Sequence, residues 1–179
     1  MTTANLKSTL RLQTKELLKS LTWNRRQAAS YLAVMKLKER LGSYKHVLSF
    51  TSFGTEIDLW PLNAILAKEK RLCLPHYSGK LFSVESLSYL HPGPKPNLEP
   101  DPSKCQEIAL QQVDCILTPA LLFDSKGYRL GFGSGYYDKL LENRKKETLV
   151  FGIGFTEQLS KDPLPHESHD IPVDELLLL

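Results

Sequence analysis

The segment from Val113 to Asp138, VDCILTPALLFDSKGYRLGFGSGYYD, constrains the fold of this chain more than any other. It opens on an apolar run, Val113 to Leu117 (VDCIL), of the kind that fills the centre of a sheet buried on both faces. It continues through a loop in which Gly131, Gly133 and Gly135 alternate, and a helix is predicted from about Ser134 to Arg144. A buried strand that passes through glycines into a helix is a building unit of parallel α/β sheets. Ligands of such sheets bind outside the carboxyl ends of the strands.

The rest of the chain supports that architecture. Asn5 to Leu18 reads as a polar helix with Leu6, Leu10 and Leu17 near one face. Lys7, Arg11 and Lys15 recur every four residues and form a basic stripe beside that face. A second helix is capped by Thr22 and stops near Gly42, with Leu32, Met35 and Leu37 as core candidates. A strand at His46 to Phe50 leads into a loop through Thr51 to Ile57. A helix follows at Leu59 to Lys68, with Pro61 tolerated in its first turn. Arg71 to Leu74 and Leu81 to Glu85 are strand-like around a turn at Pro75 to Lys80. Pro92, Pro94, Pro96, Pro100 and Pro102 exclude regular helix from His91 to Ser103, which reads as an ordered loop over the site or as a surface excursion. Leu149 to Ile153 and Val173 to Leu178 supply the last strands. These elements predict a three-layer α/β/α, Rossmann-like fold with a largely parallel sheet, and a single domain over residues 1–179.

Charge and cysteine usage narrow the function. Lys and Arg total 23 against 20 Asp and Glu, and the signs are interspersed, which argues against nucleic acid as a partner. The net +3 suits a small anionic ligand if the cations converge on one site. Cys73, Cys105 and Cys115 are odd in number, widely spaced and outside any CxxC pattern, so neither a zinc site nor a disulfide framework is indicated. Reduced thiols favour a cytoplasmic protein. No stretch is apolar enough for a signal peptide or a bilayer span, so no membrane partner is expected. The expected assembly is a monomer or weak dimer.

The glycine loop has a definite chemical reading. Alternating glycines let the backbone turn tightly and approach a ligand without Cβ interference. Exposed amides before a helix N-terminus attract anions, and Arg129 can clamp a phosphate through two hydrogen bonds. Asp138, in the first turn of the new helix, can hold magnesium against the same phosphates. The spacing is neither GxxxxGK[ST] nor GxGxxG. On the residues alone, a tight packing turn with Tyr136 and Tyr137 as core aromatics and Asp138 as a helix-dipole partner stands beside the phosphate reading.

GYRLGFGSGYYD, Gly127 to Asp138, resembles the signature of the 5-formyltetrahydrofolate cyclo-ligases, also called methenyltetrahydrofolate synthetases. The likeness extends along nearly the whole chain. Lys7 to Arg11 (KSTLR) is similar to the family's nucleotide-contacting helix, and Ser52 to Ile57 (SFGTEI) to its folate-binding loop. Asn97 to Pro100 (NLEP) is similar to an acidic-proline element, and Asp170 to Glu175 (DIPVDE) to the C-terminal motif. The resemblance implies ATP and Mg2+ as cofactors and 5-formyltetrahydrofolate as substrate, cyclised to 5,10-methenyltetrahydrofolate with release of ADP and phosphate. It implies nucleotide contacts from Lys7, Arg11, Arg129, Gly131, Gly133, Ser134, Gly135, Tyr136 and Tyr137, with Arg129 and Tyr136 catalytic. It implies magnesium ligation by Asp138 and Asp170, and folate contacts from Phe53 and Glu56. Tyr77 is assigned to the folate pocket too, with a packed structural aromatic as the alternative. Ser134 departs from the family pattern, in which many members carry lysine, so Lys7, Arg11 and Arg129 would supply the balancing charge. Two other classes remain open on sequence: a phosphosugar-binding protein on a similar scaffold, and a non-catalytic folate- or nucleotide-binding module.

Overall fold

The computed structural model describes residues 3–94 and 97–179. Lys95 and Pro96, within the proline-rich stretch, lie outside the described residues. Helix α1 (Thr3–Ser20) and helix α2 (Trp23–Arg40) precede strand β1 (Val47–Leu48) and helix α3 (Trp60–Lys68). Strands β2 (Leu72–Pro75), β3 (Leu81–Ser83), β4 (Leu90–Pro92), β5 (Leu98–Pro100) and β6 (Gln106–Ile108) follow. Then come β7 (Cys115–Pro119), β8 (Leu122–Phe123), β9 (Arg129–Leu130), helix α4 (Tyr136–Glu142), β10 (Leu149–Gly154) and β11 (Glu175–Leu178). Among the described residues seven strands form one sheet in the order β11-β10-β7-β1-β2-β3-β6. The first five are mutually parallel, and β3 and β6 add an antiparallel edge.

Alternation along the strands explains the layers. Val47, Leu72, Leu74, Cys115, Leu117, Phe151 and Ile153 face the cluster that contains Leu18 of α1, Ala29, Ala33 and Leu37 of α2, and Leu62 and Leu66 of α3. Their neighbours Leu48, Cys73, Ile116 and Val150 face the other side, against Leu140 and Leu141 of α4. Strand β7 is buried along its whole length, as its apolar sequence requires. The sheet is therefore sandwiched, with three helices on one face and one short helix on the other.

That asymmetry has a topological cause. The chain leaves β1 through α3 and moves to β2 on one side, whereas it leaves β7 through α4 and moves to β10 on the other. Right-handed crossovers running in opposite directions put their helices on opposite faces. Strands β1 and β7 are adjacent and parallel, so their outgoing loops diverge and leave a crevice between them. Such a switch point, at the carboxyl ends of the strands, is where open α/β sheets bind ligands.

Several local expectations need correction. Thr22 does cap α2, accepting from the Arg25 N–H at 3.2 Å. The helix buries Ala29, Ala33 and Leu37, however, and leaves Leu32 and Met35 exposed. Ala29, Ala33 and Leu37 lie four positions apart on one row that joins the buried cluster, and Leu32 and Met35 fall off that row. In α1, Leu10 packs beside Leu122, Leu130 and Leu164, and Thr14 and Leu18 are buried, whereas Leu6 and Leu17 are exposed. The inward face is thus Lys7, Leu10, Arg11, Thr14 and Leu18, and two basic residues lie on it rather than beside it. The proline-rich stretch forms an antiparallel ribbon of β4 and β5, with His91 opposite Glu99 and prolines at the ends of the pairing. The stretch between β7 and α4 holds a second small hairpin, β8 with β9, before the glycine loop begins.

Candidate active site

The loop after β1 is shaped by its own polar side chains. Ser52 Oγ accepts the Leu59 N–H at 2.9 Å, and Asp58 Oδ1 accepts the Trp60 N–H at 2.8 Å, which together start α3. Between them the chain turns at Gly54, whose φ of 61° lies in the left-handed region. Glu56 folds back so that its Oε2 accepts the Phe53 N–H at 2.9 Å. Phe53 is left exposed. Burial raises the Glu56 carboxyl from 4.5 to about 7, opposed by that Phe53 N–H.

The loop after β7 is built on the β8–β9 hairpin. Asp124 Oδ1 accepts from the Lys126 and Tyr128 N–H groups and Oδ2 from Leu164, so one buried carboxylate sets the turn. Gly127 has φ 84°, and a Cβ there would lie 2.5 Å from the Val173 carbonyl oxygen. Glycine at this turn lets the DIPVDE segment dock, sealed by a Val173 N–H to Gly127 O bond of 2.9 Å. Arg129 then points inward with only 4% of its side chain exposed. It donates through Nη2 to Asp138 Oδ1 at 2.6 Å and through Nη1 to Ile171 O. Burial lowers its pKa, and the charge of Asp138 opposes that shift most strongly.

The glycines that follow divide by role. Gly133 and Gly135 have φ of 110° and 65°, conformations that side chains disfavour, whereas Gly131 does not. Gly131 contributes its carbonyl, which accepts from Arg11 Nε at 2.9 Å. Gly135 caps α4 without a side-chain bond, and Ser134 Oγ accepts the Tyr136 N–H at 3.4 Å. Helix α4 has 7 residues, shorter than the sequence predicts, with Asp138 in its first turn. Phe132 is exposed on the loop, with Lys15 Nζ 6.0 Å from its ring centroid.

Lys7 reaches across from α1 to Asp170, Nζ to Oδ2 2.8 Å, with both side chains about five-sixths buried at 15% and 17% exposure. Burial works against the Asp170 carboxylate, but Lys7, the Glu167 N–H and His169 together hold its pKa below the ordinary value. Helix α1 is therefore a strap that ties the glycine loop to the C-terminal motif through Arg11 and Lys7.

The loops that carry Glu56 and Arg129 leave the adjacent strands β1 and β7, and Tyr137 follows in the first turn of α4. Burial holds its phenol well above the ordinary range, the charges of Tyr136 and Glu56 raise it further, and Arg129 opposes them. Tyr136 packs edge-on against it, ring centroids 5.2 Å apart, and burial raises the Tyr136 hydroxyl to about 12. That hydroxyl is buried and has no hydrogen-bond partner among the described residues. Tyr77 stands at the end of β2 with 67% exposure, so the packed structural aromatic weighed from sequence is not what forms.

The carboxylates fit a magnesium ion held jointly with phosphate. Among the described residues no three His, Cys, Asp or Glu side chains converge into an all-protein cage. Magnesium does not need one, since it keeps several waters and binds through one or two carboxylates plus substrate phosphates. Asp138 keeps Oδ2 clear of its Arg129 bond, whereas Asp170 Oδ1, beyond the Lys7 bond, lies 3.8 Å from His169 Nε2.

Sequence reasoning missed one buried pair near the site. Glu99 of β5 and His76 after β2 face each other with 5% and 7% side-chain exposure. The signal was present in the NLEP element, but a proline-rich ribbon gives no periodicity from which burial of its glutamate can be read.

Comparison with known proteins agrees with this geometry. The model of the 5-formyltetrahydrofolate cyclo-ligase family matches residues 3–178. The mouse 5-formyltetrahydrofolate cyclo-ligase is 28% identical over 195 residues, covering 99% of this chain and 95% of its own. The Escherichia coli K12 enzyme of the same name is 34% identical over 137 residues, covering 71% and 74%. The solved structure of Aquifex aeolicus 5,10-methenyltetrahydrofolate synthetase superposes with a TM-score of 0.85 at 35% identity, over 96% of this chain and 88% of that one. The Mycoplasma pneumoniae synthetase shares the fold, with a TM-score of 0.74 at 19% identity over 95% and 96%. With a switch point between β1 and β7 and a family match that runs almost end to end, this chain belongs to the 5-formyltetrahydrofolate cyclo-ligase family.

Proposed function

We propose that the crevice between β1 and β7 cyclises 5-formyltetrahydrofolate to 5,10-methenyltetrahydrofolate at the expense of ATP. The observation that carries this reading is the cyclo-ligase family match over residues 3–178, on a fold in which the folate-side and phosphate-side loops leave the adjacent parallel strands β1 and β7. Transfer between two substrates requires such neighbouring loops.

The chemistry needs no enzyme nucleophile. The formyl oxygen attacks the γ-phosphorus and ADP leaves, giving an iminium phosphate. The neighbouring N10 amine attacks the activated carbon and loses its proton, and phosphate departs with the former formyl oxygen. Phe53, Glu56 and Tyr77 position the pterin side. Glu56 accepts from adjacent ring N–H donors, for which a carboxylate has two oxygens. Lys7 and Arg11 carry positive charge along α1 to the polyphosphate, with backbone amides from Gly131 to Gly135. Arg129, committed to Asp138 and Ile171, fixes the Asp138 carboxylate and adds charge from behind it. The Tyr136 hydroxyl is positioned to donate to the transferring group. Magnesium, held by Asp138 and Asp170 with the phosphates, would neutralise charge that develops on the transferred phosphoryl.

The test is simultaneous measurement of ADP release and methenyl absorbance with 5-formyltetrahydrofolate, ATP and magnesium. Stoichiometric appearance of both, dependent on folate and metal, is expected. ADP release at the same rate without folate would overturn the coupled reaction, and folate binding without ADP would favour a non-catalytic module.

A further inference from the structure

The buried pair His76–Glu99 has no role in the chemistry above, yet it sits directly behind Tyr77. Glu99 Oε2 accepts the Tyr77 N–H at 3.3 Å and lies 3.8 Å from His76 Nε2. The neighbouring hydrogen bonds fix the histidine tautomer. His76 Nδ1 accepts the Ser78 N–H at 3.2 Å and lies 2.8 Å from Ser78 Oγ, so a neutral ring carries its proton on Nε2, facing the carboxylate. Gly93, in the turn after β4, is packed so tightly on Glu99 that a Cβ there would lie 2.5 Å from Glu99 Cδ. Further backbone bonds, His76 N–H to Lys80 O at 2.9 Å and Gly79 N–H to His76 O at 3.0 Å, close the turn.

A carboxylate buried this deeply is expensive unless it organises something, because its solvation must be replaced by fixed donors. Here the donor is the Tyr77 N–H, with His76 Nε2 beside the carboxylate at 3.8 Å. The Tyr77 side chain is otherwise held by little beyond a ring contact with His76, 4.3 Å between centroids. We propose that Glu99 and His76, clamped by Gly93, are positioning residues that fix the Tyr77 backbone and aim its ring at the bound folate. This rests on the reading of Tyr77 as a folate contact. It gives the β4–β5 ribbon a function, since the ribbon carries Glu99 to the end of β2.

The test combines kinetics with an exchange measurement that needs no substrate. Glu99→Ala is expected to raise the KM for 5-formyltetrahydrofolate about fivefold, with the KM for ATP and kcat little changed, because only a weak binding contact is misdirected. Glu99→Gln, which keeps an acceptor oxygen, should recover most of the loss. In a Tyr77→Ala background, Glu99→Ala should add nothing, since residues acting as one unit are non-additive. Equal effects with and without Tyr77, or parallel rises in both KM values, would overturn the proposal. Hydrogen exchange at the Tyr77 amide should accelerate in Glu99→Ala in the absence of folate, and unchanged exchange would overturn the anchoring whatever the activity. If Glu99→Ala does not fold, Gly93→Ala displaces the carboxylate without removing its charge and should reproduce the KM pattern. Loss of all cyclisation by the unaltered protein, with Tyr77 exchange still dependent on Glu99, would sink the assigned reaction and leave the anchoring supported.

Discussion

Glu56 offers the sharpest test, because the reaction and the stability of the empty protein pull on it in opposite directions. Its carboxyl rises from 4.5 to about 7 on burial. At 1.36 kcal/mol per pH unit the charged form is disfavoured by about 3 kcal/mol, and solvent at its partly exposed edge reduces the expressed value to roughly 2–3 kcal/mol. Between the unfolded and folded pKa values the native state holds a proton that the unfolded chain has released, so stability falls as pH rises through about 7. Glu56→Gln lacks this titration, and its amide oxygen can still accept the Phe53 N–H. In urea unfolding from pH 4.5 to 8, the variant should be nearly as stable as the parent at the acid end. It should become more stable by roughly 2–3 kcal/mol above neutrality. The same substitution should weaken folate binding more than ATP binding, since a pterin loses one of two carboxylate acceptors. A stability difference that stays constant across the pH range would refute the argument, because Glu56 would then titrate alike in the folded and unfolded chain.

Three other outcomes follow from the geometry. Asp138→Asn keeps an oxygen for Arg129 Nη2, so urea titration should find the fold intact while activity needs more magnesium and turnover falls by roughly tenfold or more. Gly127→Ala combines a φ of 84° with a Cβ 2.5 Å from Val173 O, and should destabilise by about 2 kcal/mol or more in the same assay. Ser134→Lys adds a cation to an exposed loop and should tighten ATP binding roughly five- to tenfold, with a steeper salt dependence. Unchanged ATP affinity at two ionic strengths would mean that Lys7 and Arg11 already supply the charge.

Elements governed by local chemistry or by uniform burial were legible in the sequence. Thr22 announces its cap, and the apolar run Val113 to Leu117 announces the central strand, which forms two residues later at Cys115–Pro119, where Thr118 satisfies itself against Phe151 O. Elements that need a distant partner were not. Strands β8 and β9 have two residues each, and their pairing is held by Asp124, Leu164 and Val173, far apart in sequence. Leu32 and Met35 satisfy a helical spacing as well as Ala29 and Ala33 do, so the spacing alone does not say which row faces inward.

Helix α1 shows why the site itself required motif reasoning. Hydrophobic periodicity assumes that the surface a helix covers is apolar, but α1 covers a glycine loop and a carboxylate. Its polar contacts are Arg11 Nε to Gly131 O at 2.9 Å and Lys7 Nζ to Asp170 Oδ2 at 2.8 Å, so its inward face is polar at these positions and apolar at Leu10 and Leu18. Leu6 and Leu17, which the pattern would bury, are left outside. Without a nucleotide the acceptors on Lys7 and Arg11 are the Asp170 carboxylate and the Gly131 carbonyl. With one, as proposed, phosphate oxygens would compete for the same Lys7 and Arg11 donors, leaving Asp170 free for magnesium. On that reading the ion pair that holds the strap in the empty protein is the one nucleotide binding would exchange, which would couple the seating of α1 to occupancy of the phosphate site.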